Sequence, residues 1–362
     1  MSLTDLYRRE LARHQFKSDA DQATAVRELD ALRERLLAAP GGTRGLRRLL
    51  RRASADGGGL YLWGSVGRGK TWLVNLFYDS LDFPDRYRSH FHHFMRDVHA
   101  GLRAAADQSE PLRVVANDLA RRYRVICLDE LLVQDIADAM ILGGLFRALL
   151  AAGTSLVITS NTPPRDLYRD GLQRARFLPA IALLESRLSV HELRGKTDYR
   201  LRELRRAPIY IVAKDAAAAR KQLAKLYARL AGEHGEHQAE LHVAGRPIAA
   251  WRRAADVVWF GFDALCEGAR SQNDYVEIAD EFHTVFLSDV PVFTEQDDDA
   301  ARRFIALIDE FYDQGVKVVL SAAAPPEQLY RGQRLKFDFQ RTASRLTEMQ
   351  SESYLRRAHH GG

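Results

Sequence analysis

Gly64-Ser65-Val66-Gly67-Arg68-Gly69-Lys70-Thr71 has the residue types and spacing that cradle phosphate. Glycines let backbone N–H groups turn inward around a β-phosphate, and a following helix N-terminus adds partial positive charge. Lys70 would bridge the β- and γ-phosphates of a nucleoside triphosphate, and the Thr71 hydroxyl would ligate Mg²⁺. The flanks agree. Gly59-Leu60-Tyr61-Leu62-Trp63 reads as a short buried strand, and Trp72–Tyr78 has helical apolar spacing.

A second group of residues suits the same chemistry. Val125-Ile126-Cys127-Leu128 is an apolar strand that ends in Asp129-Glu130. At a strand's C-terminal edge, Asp129 would hold Mg²⁺ through water while Glu130 polarises an attacking water. The run from Ser155 to Asn161 reads as the next strand, and Asn161, which ends it, would reach both a γ-phosphate and that water. In Gln173-Arg174-Ala175-Arg176-Phe177, Arg174 or Arg176 would serve a neighbouring subunit's site if copies pack head to tail. The alternative is a surface ion pair. Gln22 has an amide that matches the N6 and N7 edge of adenine, with a plain helix start as the competing reading. His90, His92, His93 and His99 crowd one expected strand and its exit, and read as structural because no second cluster has metal spacing.

Elements must hold these groups in place. Residues 1–40 read as helical: Val26, Leu29, Leu32, Leu36 and Leu37 recur at threes and fours after Ser18–Asp21, with Gly41-Gly42 as the stop. Residues 59–194 alternate strand and helix, with strands at Gly59–Trp63, Ser89–Phe94, Val125–Asp129, Ser155–Thr159 and Leu188–His191. A helix spans Asp135–Ala152, ended by Gly153. Such alternation predicts an α/β fold, a parallel sheet flanked by helices. Expected domains are 1–58, a helical segment and basic linker; 59–205, the nucleotide-binding core; and 206–362, a second α/β lobe. In that lobe Pro208–Val212 reads as a strand, Asp215–Leu230 as a helix and Gly232–Glu240 as a polar turn.

The lobe echoes the core. Val125–Arg169 and Thr284–Arg331 both run strand, acid, helix, glycine, strand, then Pro-Pro-x-x-Leu-Tyr-Arg. At the acid pair the lobe reads Ser288-Asp289, at Asn161 it reads alanine, and no glycine loop precedes it. We therefore expect it to bind no nucleotide of its own. Arg341 and Arg345 either reach the first lobe's phosphates or are helix-surface charge.

Composition sets outer limits. The chain has 362 residues, 46% hydrophobic and 28% charged, room for two domains. No apolar run approaches a membrane span, and the N-terminal residues lack a secretory h-region. Cys127 and Cys266 sit in apolar runs, as small core residues of a protein in a reducing cytoplasm. The net charge of +5 leaves nucleic acid, acidic lipid and acidic protein open as partners. The densest basic cluster, Arg44, Arg47, Arg48, Arg51 and Arg52, is a solvated helix face, a nucleic-acid patch or an acidic-surface contact.

Several stretches resemble the ZapE family of cell-division ATPases, related to mitochondrial lactation-elevated proteins. They are Gly59–Thr71, His90–Met95, Leu172–Pro179, Arg270–Tyr275 and Glu348–Ser351, so the resemblance runs over essentially the whole chain. It implies an AAA+ ATPase that uses Mg²⁺ and ATP, forms homo-oligomers, and acts on FtsZ or another division protein in the cytoplasm, with peripheral membrane association and no specific nucleic acid. A helicase-loader-like protein and a nucleotide-gated scaffold are the alternatives. One departure is Leu131-Leu132, where the family carries phenylalanine; the change stays apolar and bears on packing.

Overall fold

The computed structural model describes residues 1–14, 18–38, 58–65, 67–195, 199–213, 215–231, 236–254, 256–357 and 359. The basic cluster at 44–52, the expected stop at Gly41-Gly42 and Val66 lie outside them. The chain divides into two compact units, Met1–Asp198 and Tyr199–Gly362.

In the first unit the elements run α1 (Leu3–His14), α2 (Ala20–Ala38), β1 (Gly59–Trp63), α3 (Lys70–Asp79), β2 (Arg86–His90), α4 (Phe91–Ala104) and α5 (Pro111–Arg122). They continue with β3 (Val125–Asp129), α6 (Ile136–Ala151), β4 (Ser155–Ser160), α7 (Leu178–Arg187) and β5 (Leu188–Glu192). The strands form one parallel sheet in the order β2-β3-β4-β1-β5. Alternate residues of each strand face opposite sides, so the sheet needs two apolar covers. Tyr61, Ile126, Leu128, Leu156 and Ile158 pack under α4–α7. Leu60, Leu62, Val125, Cys127 and Val157 pack under α1–α3.

That second cover ties the N-terminal segment to the core. Leu3, Tyr7, Val26, Leu29 and Leu32 are buried in the same cluster as Leu60, Leu62 and Leu73. The first unit therefore begins at residue 1, where the sequence suggests 59. It ends at Asp198 because the following helix, Tyr199–Arg206, belongs to the second unit. A further difference lies at the histidines. The strand expected over 89–94 is β2, Arg86–His90, and the chain turns helical at Phe91. Phe91, Phe94, Met95 and Val98 recur at helical spacing and are all buried, and this period overrides the local strand preference. His90 and His92 therefore do not share a strand face.

In the second unit the elements are α8 (Tyr199–Arg206), β6 (Tyr210–Val212), α9 (Ala216–Ala231), β7 (Glu236–Val243), β8 (Arg246–Ala254), β9 (Val257–Gly261) and α10 (Gln272–Glu281). After them come β10 (Thr284–Val290), α11 (Asp298–Asp313), β11 (Lys317–Ala322), α12 (Lys336–Glu348) and α13 (Glu352–Leu355). Its sheet runs β6-β11-β10-β9-β8-β7, parallel from β6 to β9, with β8 and β7 added antiparallel. Residues 236–240, expected as part of a polar turn, belong to β7. Ala239, Leu241 and Val243 alternate inward there, and β8 pairs with the strand. The echo of the core is present in three dimensions: β10-α11-β11 repeats β3-α6-β4, and each copy ends in a short 3₁₀ turn, Pro326–Gln328 or Pro164–Asp166.

Candidate nucleotide site

The carboxyl ends of β1, β4 and β3 lie side by side. β1 runs into the glycine loop, β3 ends at Asp129, and Asn161 follows β4. Parallel strands leave their last residues free to project from one edge, where loops can build a site.

The loop feeds directly into α3, whose first residue is Lys70 and whose N-cap is Gly69 in the left-handed conformation, φ 84°. A side chain there would be strained and would also meet Gln22 Nε2 at 2.9 Å. Lys70 is only 7% exposed. It donates to the carbonyl oxygens of Gly64 (2.5 Å) and Ser65 (3.0 Å) and to Asn161 Oδ1 (3.0 Å). A buried ammonium requires such acceptors, and phosphate oxygens would satisfy it better than neutral carbonyls. Thr71 follows in the first helical turn, partly exposed.

Across the strand ends, Asp129 is buried. Its Oδ2 accepts from Arg88 Nε on β2 at 2.6 Å, and its Oδ1 from Thr159 Oγ1 at 3.3 Å. Arg88 also donates to Asn75 Oδ1 on α3. Burial alone would lower the Arg88 pKa, but the Asp129 carboxylate outweighs it and the guanidinium stays charged. Glu130 takes the left-handed conformation, φ 56°, which costs a non-glycine residue roughly 1–2 kcal/mol. Its backbone N–H is held by Thr159 Oγ1 at 3.0 Å. A hydroxyl of the next strand thus holds this strained residue in place. Thr71 and Asp129 supply a hydroxyl and a carboxylate, hard oxygen donors that suit a small divalent cation keeping several of its waters.

The expected residues divide. Gly64, Ser65, Gly67, Gly69, Lys70, Thr71, Asp129, Glu130 and Asn161 gather at the ends of these strands. Arg68 joins the loop but turns its guanidinium to the Gly195 carbonyl. Gln22 is 2% exposed, with both ends of its amide taken: Oε1 accepts from Tyr7 Oη at 3.1 Å and Nε2 donates to the Arg68 carbonyl at 2.9 Å. Each end of the amide is thus engaged within the chain. Arg174 Nη2 donates to the Arg165 carbonyl of its own loop at 2.6 Å, whereas Arg176 is exposed and has no side-chain partner among the described residues. Arg341 and Arg345 both pair with Asp309 inside the second unit. Arg88, Asn75 and Tyr7 were not singled out from sequence. Arg88 becomes visible once β2 is set at 86–90, because a charged residue in a strand beside β3 needs a partner there.

Loop, acid pair and parallel sheet together define a nucleoside-triphosphate-binding protein of the phosphate-loop class. Comparison with known proteins narrows this. The family model of the AFG1-like ATPases matches residues 1–358, and the chain belongs to that family. It is therefore an ATPase. It is 49% identical over 304 residues to the cell division protein ZapE of Escherichia coli K12, covering 84% of this chain and 81% of that one. It is 36% identical over 341 residues to lactation elevated protein 1 homolog B of Danio rerio, covering 82% and 68%. A solved structure of DnaI aligns at TM-score 0.35 with 19% identity, over 49% of this chain and 86% of that one, too distant to support any argument.

Proposed function

We propose that the chain is a Mg²⁺-dependent ATPase of the AAA+ type that works as a homo-oligomer on a protein partner, the FtsZ ring of dividing bacteria. The observation that carries the catalytic half is Lys70. Its buried ammonium is held by loop carbonyls and Asn161, in the place where β- and γ-phosphates would take over those bonds. Thr71 and Asp129 would hold Mg²⁺, which supplies charge neutralisation of the phosphates when bound. Glu130 would accept a proton from the attacking water, and Asn161 would orient that water. Arg176, exposed and without a side-chain partner among the described residues, suits a finger acting on a neighbouring subunit's nucleotide better than Arg174, which is tied to its own loop. The division role draws on the likeness to ZapE, and the cytoplasmic setting goes with it. No helix among the described residues is long and apolar enough to cross a membrane.

The test is ATPase rate against protein concentration, with and without purified FtsZ polymers and with DNA as a separate arm. A rate that rises with concentration and again with FtsZ supports the reading. Stimulation by DNA alone overturns the partner assignment. Lys70→Ala should abolish turnover. Mixing it with Arg176→Ala should restore part of the activity, since an intact Lys70 site would then meet an intact neighbouring Arg176. Proven mixed oligomers without recovery count against a finger in trans.

A further inference from the structure

The side chain of Gln22 lies in α2, far from the loop in sequence, yet it is hydrogen-bonded to the loop's own backbone. The Arg68 carbonyl can only accept, so the Gln22 atom facing it at 2.9 Å is Nε2, and Oε1 is left to accept from Tyr7 Oη at 3.1 Å. The orientation of this amide is thus fixed by its partners. Tyr7, in α1, is 3% exposed and packs its ring 5.5 Å from that of Trp72, the residue after Thr71.

A trans peptide points its C=O and its N–H in opposite directions. Holding the Arg68 carbonyl toward α2 therefore turns the Gly69 N–H the other way, into the loop. The bond from Gln22 ties the Arg68–Gly69 peptide to α2. A Cβ on Gly69 would lie 2.9 Å from Gln22 Nε2, so a side chain there would displace the amide as well as strain the left-handed backbone. We propose that Gln22 is a positioning residue for the phosphate loop, braced by Tyr7, and sets the aim of the Gly69 N–H at a phosphate oxygen. It does not read the base. The proposal rests on the assignment of Gly64–Thr71 as the phosphate site.

A brace on the loop and a reader of adenine make different demands on the ligand. A brace acts on any ligand that carries the phosphates, and a reader acts only on ligands that carry the base. The experiment is calorimetric titration of the full chain with ATP and, separately, with inorganic tripolyphosphate. Gln22→Met keeps the side chain's length and removes its donor. It should weaken both ligands by the same factor, roughly 3- to 10-fold, the range of one lost hydrogen bond. Tyr7→Phe deletes one hydroxyl outside the loop and should weaken both by a smaller common factor, about 2-fold. A loss confined to ATP makes Gln22 a base reader and overturns the proposal. Unchanged affinity for both ligands in both variants overturns it too. Lys70→Ala is the separate control: if it binds tripolyphosphate as tightly as the parent chain, the phosphate-site assignment itself fails, whatever Gln22 does.

Discussion

Residues 125–160 and 284–322 are built on one plan and finished with different parts. Each is a strand, a helix and a parallel strand, with the helix stopped at a left-handed glycine, Gly153 or Gly315. In each, one residue near the end of the first strand is left-handed: Glu130, just after β3, at φ 56°, and Asp289, next to last in β10, at φ 68°. In each, that residue's N–H is caught by a hydroxyl of the neighbouring strand, Thr159 at 3.0 Å or Ser321 at 3.1 Å. The differences concentrate one residue earlier. Asp129 is paired with Arg88, which lies opposite Cys127 on β2. At the matching places, Ser288 accepts from Trp259 Nε1 at 3.3 Å, and Trp259 lies opposite Phe286 on β9. The cross-strand polar bridge has been kept while its charges have gone. Asp289 is held by Arg220 of α9 at 2.8 Å, and no glycine loop stands nearby among the described residues. The backbone geometry of an acid site therefore does not require a working site. Strand-edge strain and its hydroxyl latch belong to the fold, and the charged partners belong to the chemistry.

Exchanging equivalent residues tests this division. Glu130→Gln should keep nucleotide affinity and lower kcat by roughly 10²–10⁴-fold, the usual worth of a general base. Asp289→Asn should leave kcat within about 2-fold, because that carboxylate pairs with Arg220 of its own unit. Steady-state turnover and nucleotide titration of both variants decide it, and a comparable loss in both would mean the second unit shares in hydrolysis.

The next largest contrast is in stability. Arg88→Met strands a buried carboxylate and should destabilise the first unit by about 3–5 kcal/mol. Trp259→Phe removes one N–H from a bond between neutral groups and should cost the second unit about 1–3 kcal/mol, packing included. Denaturant unfolding followed by proteolysis of each half measures both. Arg88→Lys should recover part of the first loss, since it keeps a cation beside Asp129. Equal costs would mean that charge contributes nothing at the first bridge.

The smallest expected effect lies in the latch itself. Thr159→Val leaves the Glu130 N–H unsatisfied and should cost about 1–2 kcal/mol and also lower turnover. Ser321→Ala should cost a similar amount without touching turnover. A Ser321→Ala variant with impaired ATPase would break the separation of fold from chemistry.

How much of this could be read from the chain depends on the range of the forces involved. β1, β3 and β4 have the expected bounds within a residue, because each is a continuous apolar run closed by a residue with its own chemistry: Gly64, Asp129, Asn161. The helix Ile136–Ala151 is equally legible, since Asp135 caps it by accepting from Ala137 and Asp138 N–H groups. β2 lies upstream of the expected 89–94 because Arg86-Tyr87-Arg88 carries no apolar run, and its register is set by β3. The bond from Gln22 to the loop is hidden in the sequence for a related reason. Its partner in the loop is 46 residues away, and an amide suits a carbonyl as well as a base. Arg88 and Asp129 are 41 residues apart and meet only when the sheet forms.

The two cysteines gain a use from where they fall. Cys127 lies in β3 of the first unit, Cys266 in the second, and both are fully buried. Burial pushes the Cys127 thiol up to about 12 and raises Cys266 as well, so neither is a nucleophile in the folded chain near neutral pH. Each half thus contains one silent thiol that becomes reactive only when that half opens. A pulse of alkylating reagent during unfolding, read by peptide mass, would record which half comes apart first and whether ATP delays one clock without slowing the other.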